Sequence, residues 1–141
     1  MSSTLTVTNL TATNITDGGG TTSTFANINS GSAKAWINFD GTLADSSVNL
    51  TGVRGSFNVA SLVEGGTGIY TLNWSSAMSN SNYCLVGMSG EMTGGGNRGV
   101  GIRGTTQAPA PSTCAFLAHN SNTGSAEDLD VVCISVNGDL A

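Results

Sequence analysis

Few residues in this chain could do chemistry. His119 is the only histidine, and Cys84, Cys114 and Cys133 are the only thiols. A Ser-His-Asp triad would need His119 beside an activated nucleophile, and neither a G-x-S-x-G elbow nor a Cys-His signature accompanies it. His119 therefore reads as a structural or surface residue. Glu127, Asp128 and Asp130 form the one acidic cluster, whose oxygens could hold Ca²⁺. They lack the D-x-D-x-D-G spacing and run directly into an apolar strand, the pattern of a solvated turn. A polysaccharide-degrading enzyme would need carboxylates such as Glu91 or Asp130 facing each other across a cleft. Gly99 to Gly104 match G-x-G-x-x-G, but a dinucleotide site needs a helix next, and Pro109 and Pro111 follow instead. A glycine-rich strand is expected there. The cysteines are widely spaced, lie in apolar runs and form no C-x-x-C, which suits buried free thiols, with one disulfide pair as the alternative. The expectation is a non-enzymatic protein with no catalytic, cofactor-binding or metal-ligating residues.

The elements around these residues are short. From Ala33 onward, alternating apolar and polar runs are separated by Gly, Asn, Ser and Asp. Candidate strands span 34–39, 53–59, 69–74, 83–89, 98–103, 113–119 and 129–136. In 53–59, Val53, Phe57 and Val59 share one face and Arg54, Ser56 and Asn58 the other, a half-buried strand. The run 131–136 is apolar on both faces and reads as a central strand. Trp36 and Phe39 differ in parity and must point to opposite faces, as must Tyr83 and Cys84. Turn signals are Asp40-Gly41, Glu64-Gly65-Gly66, Gly94-Gly95-Gly96 and Asn137-Gly138, and the two prolines place 105–112 in a connection. No window shows sustained helical periodicity. This predicts an all-β fold, an antiparallel, jelly-roll-like β-sandwich knob over 33–141 with an extended N-terminal arm over 1–32.

The arm opens with three pentads, SSTLT, VTNLT and ATNIT, over residues 2–16, with apolar anchors at Leu5, Leu10 and Ile15. A period of five suits neither a helix nor a lone strand. The pattern resembles pentapeptide repeats, in which four pentads complete one coil, so three cannot stack on themselves. Leu5, Val7, Leu10 and Ile15 are therefore the expected interface residues, buried on sister arms or in a groove on a neighbour.

Composition narrows the function classes. Ser, Thr, Asn and Gly make up half the chain, and only 9% is charged against about 25% in ordinary soluble domains. Net charge is −5, and Lys34, Arg54, Arg98 and Arg103 are too few and too scattered to grip a phosphate backbone. No apolar run approaches a membrane helix, and the N-terminus has no signal-peptide pattern. Asn9, Asn14, Asn49 and Asn73 stand in N-x-[ST] sequons that such a composition produces by chance. Neither nucleic acid nor membrane is expected as a partner.

Lys34-Ala35-Trp36-Ile37-Asn38-Phe39-Asp40-Gly41-Thr42 is followed by Val53-Arg54-Gly55-Ser56-Phe57-Asn58-Val59-Ala60-Ser61. Then come Gly66-Thr67-Gly68-Ile69-Tyr70-Thr71-Leu72, Ala77-Met78 and Asn82-Tyr83. Taken in order, over about 33–88, these resemble the β-structured module of tail-fibre and other virion surface proteins of tailed bacteriophages. Residues 42–52 stand as an enlarged loop within that pattern. The resemblance implies a homotrimer on the virion surface, on capsid or tail. A short arm without a long shaft makes a capsid decoration (cement) protein the expectation, bound to the major capsid protein or another virion protein. The alternative is a receptor-binding fibre tip, a host-adhesion protein, whose partner would be a host surface glycan stacked on outward aromatics.

Overall fold

The computed structural model describes residues 14–16, 20, 22–24, 28–29, 31–47, 49–94, 96–103 and 108–141. Contacts divide the chain into two units, 1–32 and 33–141. In the first, β1 (Asn14–Thr16) and β2 (Thr22–Thr24) form an antiparallel hairpin in which Ile15 pairs with Ser23. Asn14–Thr16 of the third pentad thus pair with Thr22–Thr24, a hairpin inside what the sequence suggests is an extended arm. Thr16 and Thr22 close it, with their hydroxyls 2.7 Å apart.

The second unit is an all-β sandwich of eight strands. They are β3 (Ala33–Phe39), β4 (Val53–Phe57), β5 (Val59–Gly66), β6 (Ile69–Trp74), β7 (Cys84–Gly90), β8 (Arg98–Ile102), β9 (Thr113–Asn120) and β10 (Val131–Asn137). They build two antiparallel sheets, ordered β4-β3-β10-β7 and β5-β6-β9-β8. The first and last strands of the unit therefore pair, and β10 is central, as its two-sided apolar pattern predicts. Alternation decides what is buried. Ala35, Ile37 and Phe39 of β3 and Val132, Ile134 and Val136 of β10 face Leu62, Tyr70, Leu72, Cys114 and Phe116 across the core. Phe39, Tyr70 and Phe116 meet at its centre with ring centroids 5.0 to 6.2 Å apart. Such pairs add stability beyond their buried area.

The run 53–59 is not one strand. Asn58 takes φ 56° and turns the chain from the first sheet into the second. Asn tolerates this left-handed conformation better than other residues with a Cβ, and here its side chain secures the corner. Its Nδ2 donates to Lys34 O and Ser76 O, both at 3.0 Å, and its Oδ1 accepts from Ser76 N at 2.7 Å. Phe57 is inverted by an irregularity within β4 itself, where Asn38 pairs with Gly55 but Phe39 with Val53, so that one residue is skipped. Phe57 pairs with outward Trp36 and is exposed, whereas Val53 and Val59 point inward as expected. A second difference lies at the next hairpin, where Gly65 and Gly66 belong to β5 and the turn is Thr67-Gly68. Gly68 has φ +67°, and a Cβ there would lie 2.5 Å from Ala118 O.

The margins of the sandwich are tied. At one, β4 and β5 are joined through Asn58, and the outer edge of β5 is capped where Leu62 N and Glu64 N donate to Asn49 O and Asp45 O. At the other, the Ser89 hydroxyl of β7 donates to Gly99 O of β8 at 3.0 Å.

Candidate functional site

The outer face of the β4-β3-β10-β7 sheet carries a cluster of exposed apolar side chains, Trp36, Phe57, Val86 and Met88. Register places its side chains in two rows. One reads Phe57, Trp36, Ser135, Val86 across the four strands, and the next Gly55, Asn38, Cys133, Met88. Neither row contains a charge. The central strand contributes the small residues Ser135 and Cys133, while its neighbours contribute large ones. The result is a trough of about 490 Å³ along β10, walled by Trp36 on one side and Val86 and Met88 on the other. Gly55 lies against the indole, whose outer ring atoms would sit 3.4 Å from a Cβ placed there, an ordinary van der Waals contact. Exposure is 43% for Trp36, 52% for Phe57 and Val86 and 77% for Met88. At about 200 Å² for a large apolar side chain, these four leave roughly 400 Å² open, within the range of about 300–600 Å² for the largest apolar patch of an ordinary monomer, a patch that is often functional.

The residues singled out for chemistry do not converge on one site, and most of the carboxylates are engaged by structural partners. His119 faces outward on β9 opposite Gly99 and has no hydrogen-bond partner at Nδ1. A Cβ on Gly99 would lie 3.0 Å from the imidazole, which explains glycine on that strand better than a nucleotide does. The acidic cluster splits three ways. Glu127 pairs with Arg98 at 2.9 Å, and Arg98 also pairs with Glu91 at 2.9 Å. Asp128 Oδ1 accepts from Gly68 N at 2.6 Å and from the Tyr70 hydroxyl at 3.0 Å. Asp130 accepts from Met92 N at 3.0 Å. Among the described residues no group of His, Cys, Asp or Glu is arranged to hold a metal ion.

All three cysteines are free. Only Cys114 is fully buried. Cys133 is half-buried in the trough and Cys84 is exposed at the end of the same face, so burial holds for one thiol of three. Burial pushes the Cys114 thiol up, away from the reactive thiolate. Both tyrosines are held protonated. Burial raises Tyr70 far above its ordinary value, and the Asp128 carboxylate that accepts its proton adds to the effect. Burial does the same for Tyr83, which donates to Thr113 O at 3.0 Å and packs edge-on against Trp74.

Of the residues expected to make contacts, Leu5, Val7 and Leu10 lie outside the described residues. Ile15 is described and is 42% exposed on its hairpin. Trp36 points outward as its parity requires. Phe57, Val86, Met88 and Cys133 were not legible as one surface, because they come from three separate strands that only register aligns. No helix among the described residues is long and apolar enough to cross a membrane. Compared with known proteins, the chain matches no family model, no curated protein and no solved structure.

Proposed function

We propose that this chain is a non-enzymatic structural protein of a tailed-phage virion, a homotrimeric capsid decoration (cement) protein held to the shell by its N-terminal segment. The observation that carries the reading is the uncharged apolar sheet face. It offers area for contact and no convergent titratable groups, which suits a protein that assembles rather than one that transforms a substrate. The phage-module resemblance supplies the virion context. Its Asn-Val step falls at the Asn58 corner and its Trp on the exposed face. Decoration of a shell in many copies adds weak contacts into slow release. Virions lacking the protein should lose infectivity faster on heating or osmotic shock, with host adsorption unchanged. Equal robustness with and without it would refute the cement role.

One observation favours the fibre-tip alternative. Trp36 lies on the sheet beside the polar Asn38 and Ser135, an aromatic platform with hydrogen-bonding neighbours of the kind on which a sugar ring stacks. If the protein works at a fibre tip, purified knob should block adsorption and Trp36→Ala should abolish the block.

A further inference from the structure

We propose that the outer face of the β4-β3-β10-β7 sheet is where copies of this chain meet, with Met88 of one copy entering the trough over Ser135 and Cys133 of the next. The inference rests on the multi-copy reading above and names the surface that makes it. Three observations select a second copy as the occupant. First, the face carries its own complement. Met88 stands 77% exposed beside a trough of about 490 Å³ floored by small side chains, so ridge and groove lie on one surface. A thioether chain with three rotatable bonds fills such irregular space well.

Second, charge leaves this approach open. The chain carries −5 overall, and like-charged copies repel wherever their charged surfaces meet. The two rows of this face hold no charged side chain. Third, the area fits. The roughly 400 Å² of open apolar side chain is about half of the ~800 Å² that each partner contributes to a stable interface, as the apolar centre of one with a polar rim should be. The other exposed large apolar residues of this unit, among them Leu43, Leu50 and Ile102, lie off these two rows.

The test reads the oligomeric state of the full chain by sedimentation, for the unmodified protein and for Met88→Glu. The unmodified protein should be an oligomer at micromolar concentration. Met88→Glu should be a monomer with unchanged circular dichroism, since that side chain is nearly free in the isolated fold. A monomeric unmodified protein, or a variant that keeps the parent mass, overturns the proposal. Should the variant fail to fold, thiol labelling of the unmodified protein decides. Alkylation of Cys133, mapped by mass spectrometry, should slow about tenfold or more as concentration rises through assembly, and an unchanged rate overturns the proposal. The virion reading fails separately. An oligomer built on this face but missing from purified particles would leave the interface standing and remove the decoration role.

Discussion

Tyr70 and Tyr83 are the only tyrosines, and both are locked in the protonated form. Their ionisation therefore reports on the fold as a whole. Each phenol has a folded-state value raised above its ordinary 10.0. Below pH 10 folded and unfolded chains both keep these protons, and the stabilisation is fully present. Above pH 10 the unfolded chain ionises while the folded one does not, so stability falls as pH rises. Spectrophotometric titration should show no tyrosinate until the protein unfolds, with both phenols then ionising together. Separate titration of either tyrosine near pH 10 in folded protein would contradict this. The carboxylates make a complementary point. Their crowding at 127–130 reads as a solvated turn, yet each carboxylate turns to a different protein partner, Arg98, Gly68 and Tyr70, or Met92. Composition shows that acids are near one another in sequence, but not which way each side chain turns.

At the scale of the element, the corner at Asn58 accounts for the main departure from the sequence reading. Unbroken alternation from Val53 to Val59 carries no break signal, because the switch uses one left-handed residue rather than Gly or Pro. Six of the seven expected strands appear within one or two residues of their expected ends, since alternation and turn residues both mark them. β5 was legible only in its first residue, and the outward side on which Phe57 lies was not legible, because the irregularity within β4 shows only in its pairing with β3. Asn58→Ala removes three hydrogen bonds and places a Cβ residue without local compensation at φ 56°. It should cost about 2–4 kcal/mol of unfolding free energy in urea titration. Asn58→Gly relieves the backbone but not the lost bonds, so it should fall between the two. Equal stability of Asn58→Ala and the parent would show that the corner is not held by this side chain. The trough was illegible for a different reason. Its walls are fixed by pairing between strands far apart in the chain, and a single sequence does not show register.

For the whole molecule, the proposed reading gives the arm and the sheet face separate tasks, holding to the particle and holding to other copies. If the pentads anchor the protein, replacing Leu10 and Ile15 with Asp should abolish incorporation into virions and leave the near-ultraviolet spectrum of the knob unchanged. Normal incorporation of that double variant would remove the anchoring role. The point where the chain passes from the first unit to the second then acquires a mechanical meaning. It enters the sandwich at Ala33 as β3, an inner strand laddered on one side to β10 and on the other to β4. With the knob held by its broad face, a force applied at Ala33 along β3 would load both ladders in shear, so that many hydrogen bonds would have to yield together. Tension between this point and the C-terminus would instead start where Ala33 lies beside Asn137 and unzip β3 from β10 one bond at a time. The same fold would thus resist a pull along β3 far better than a pull between Ala33 and its C-terminal strand.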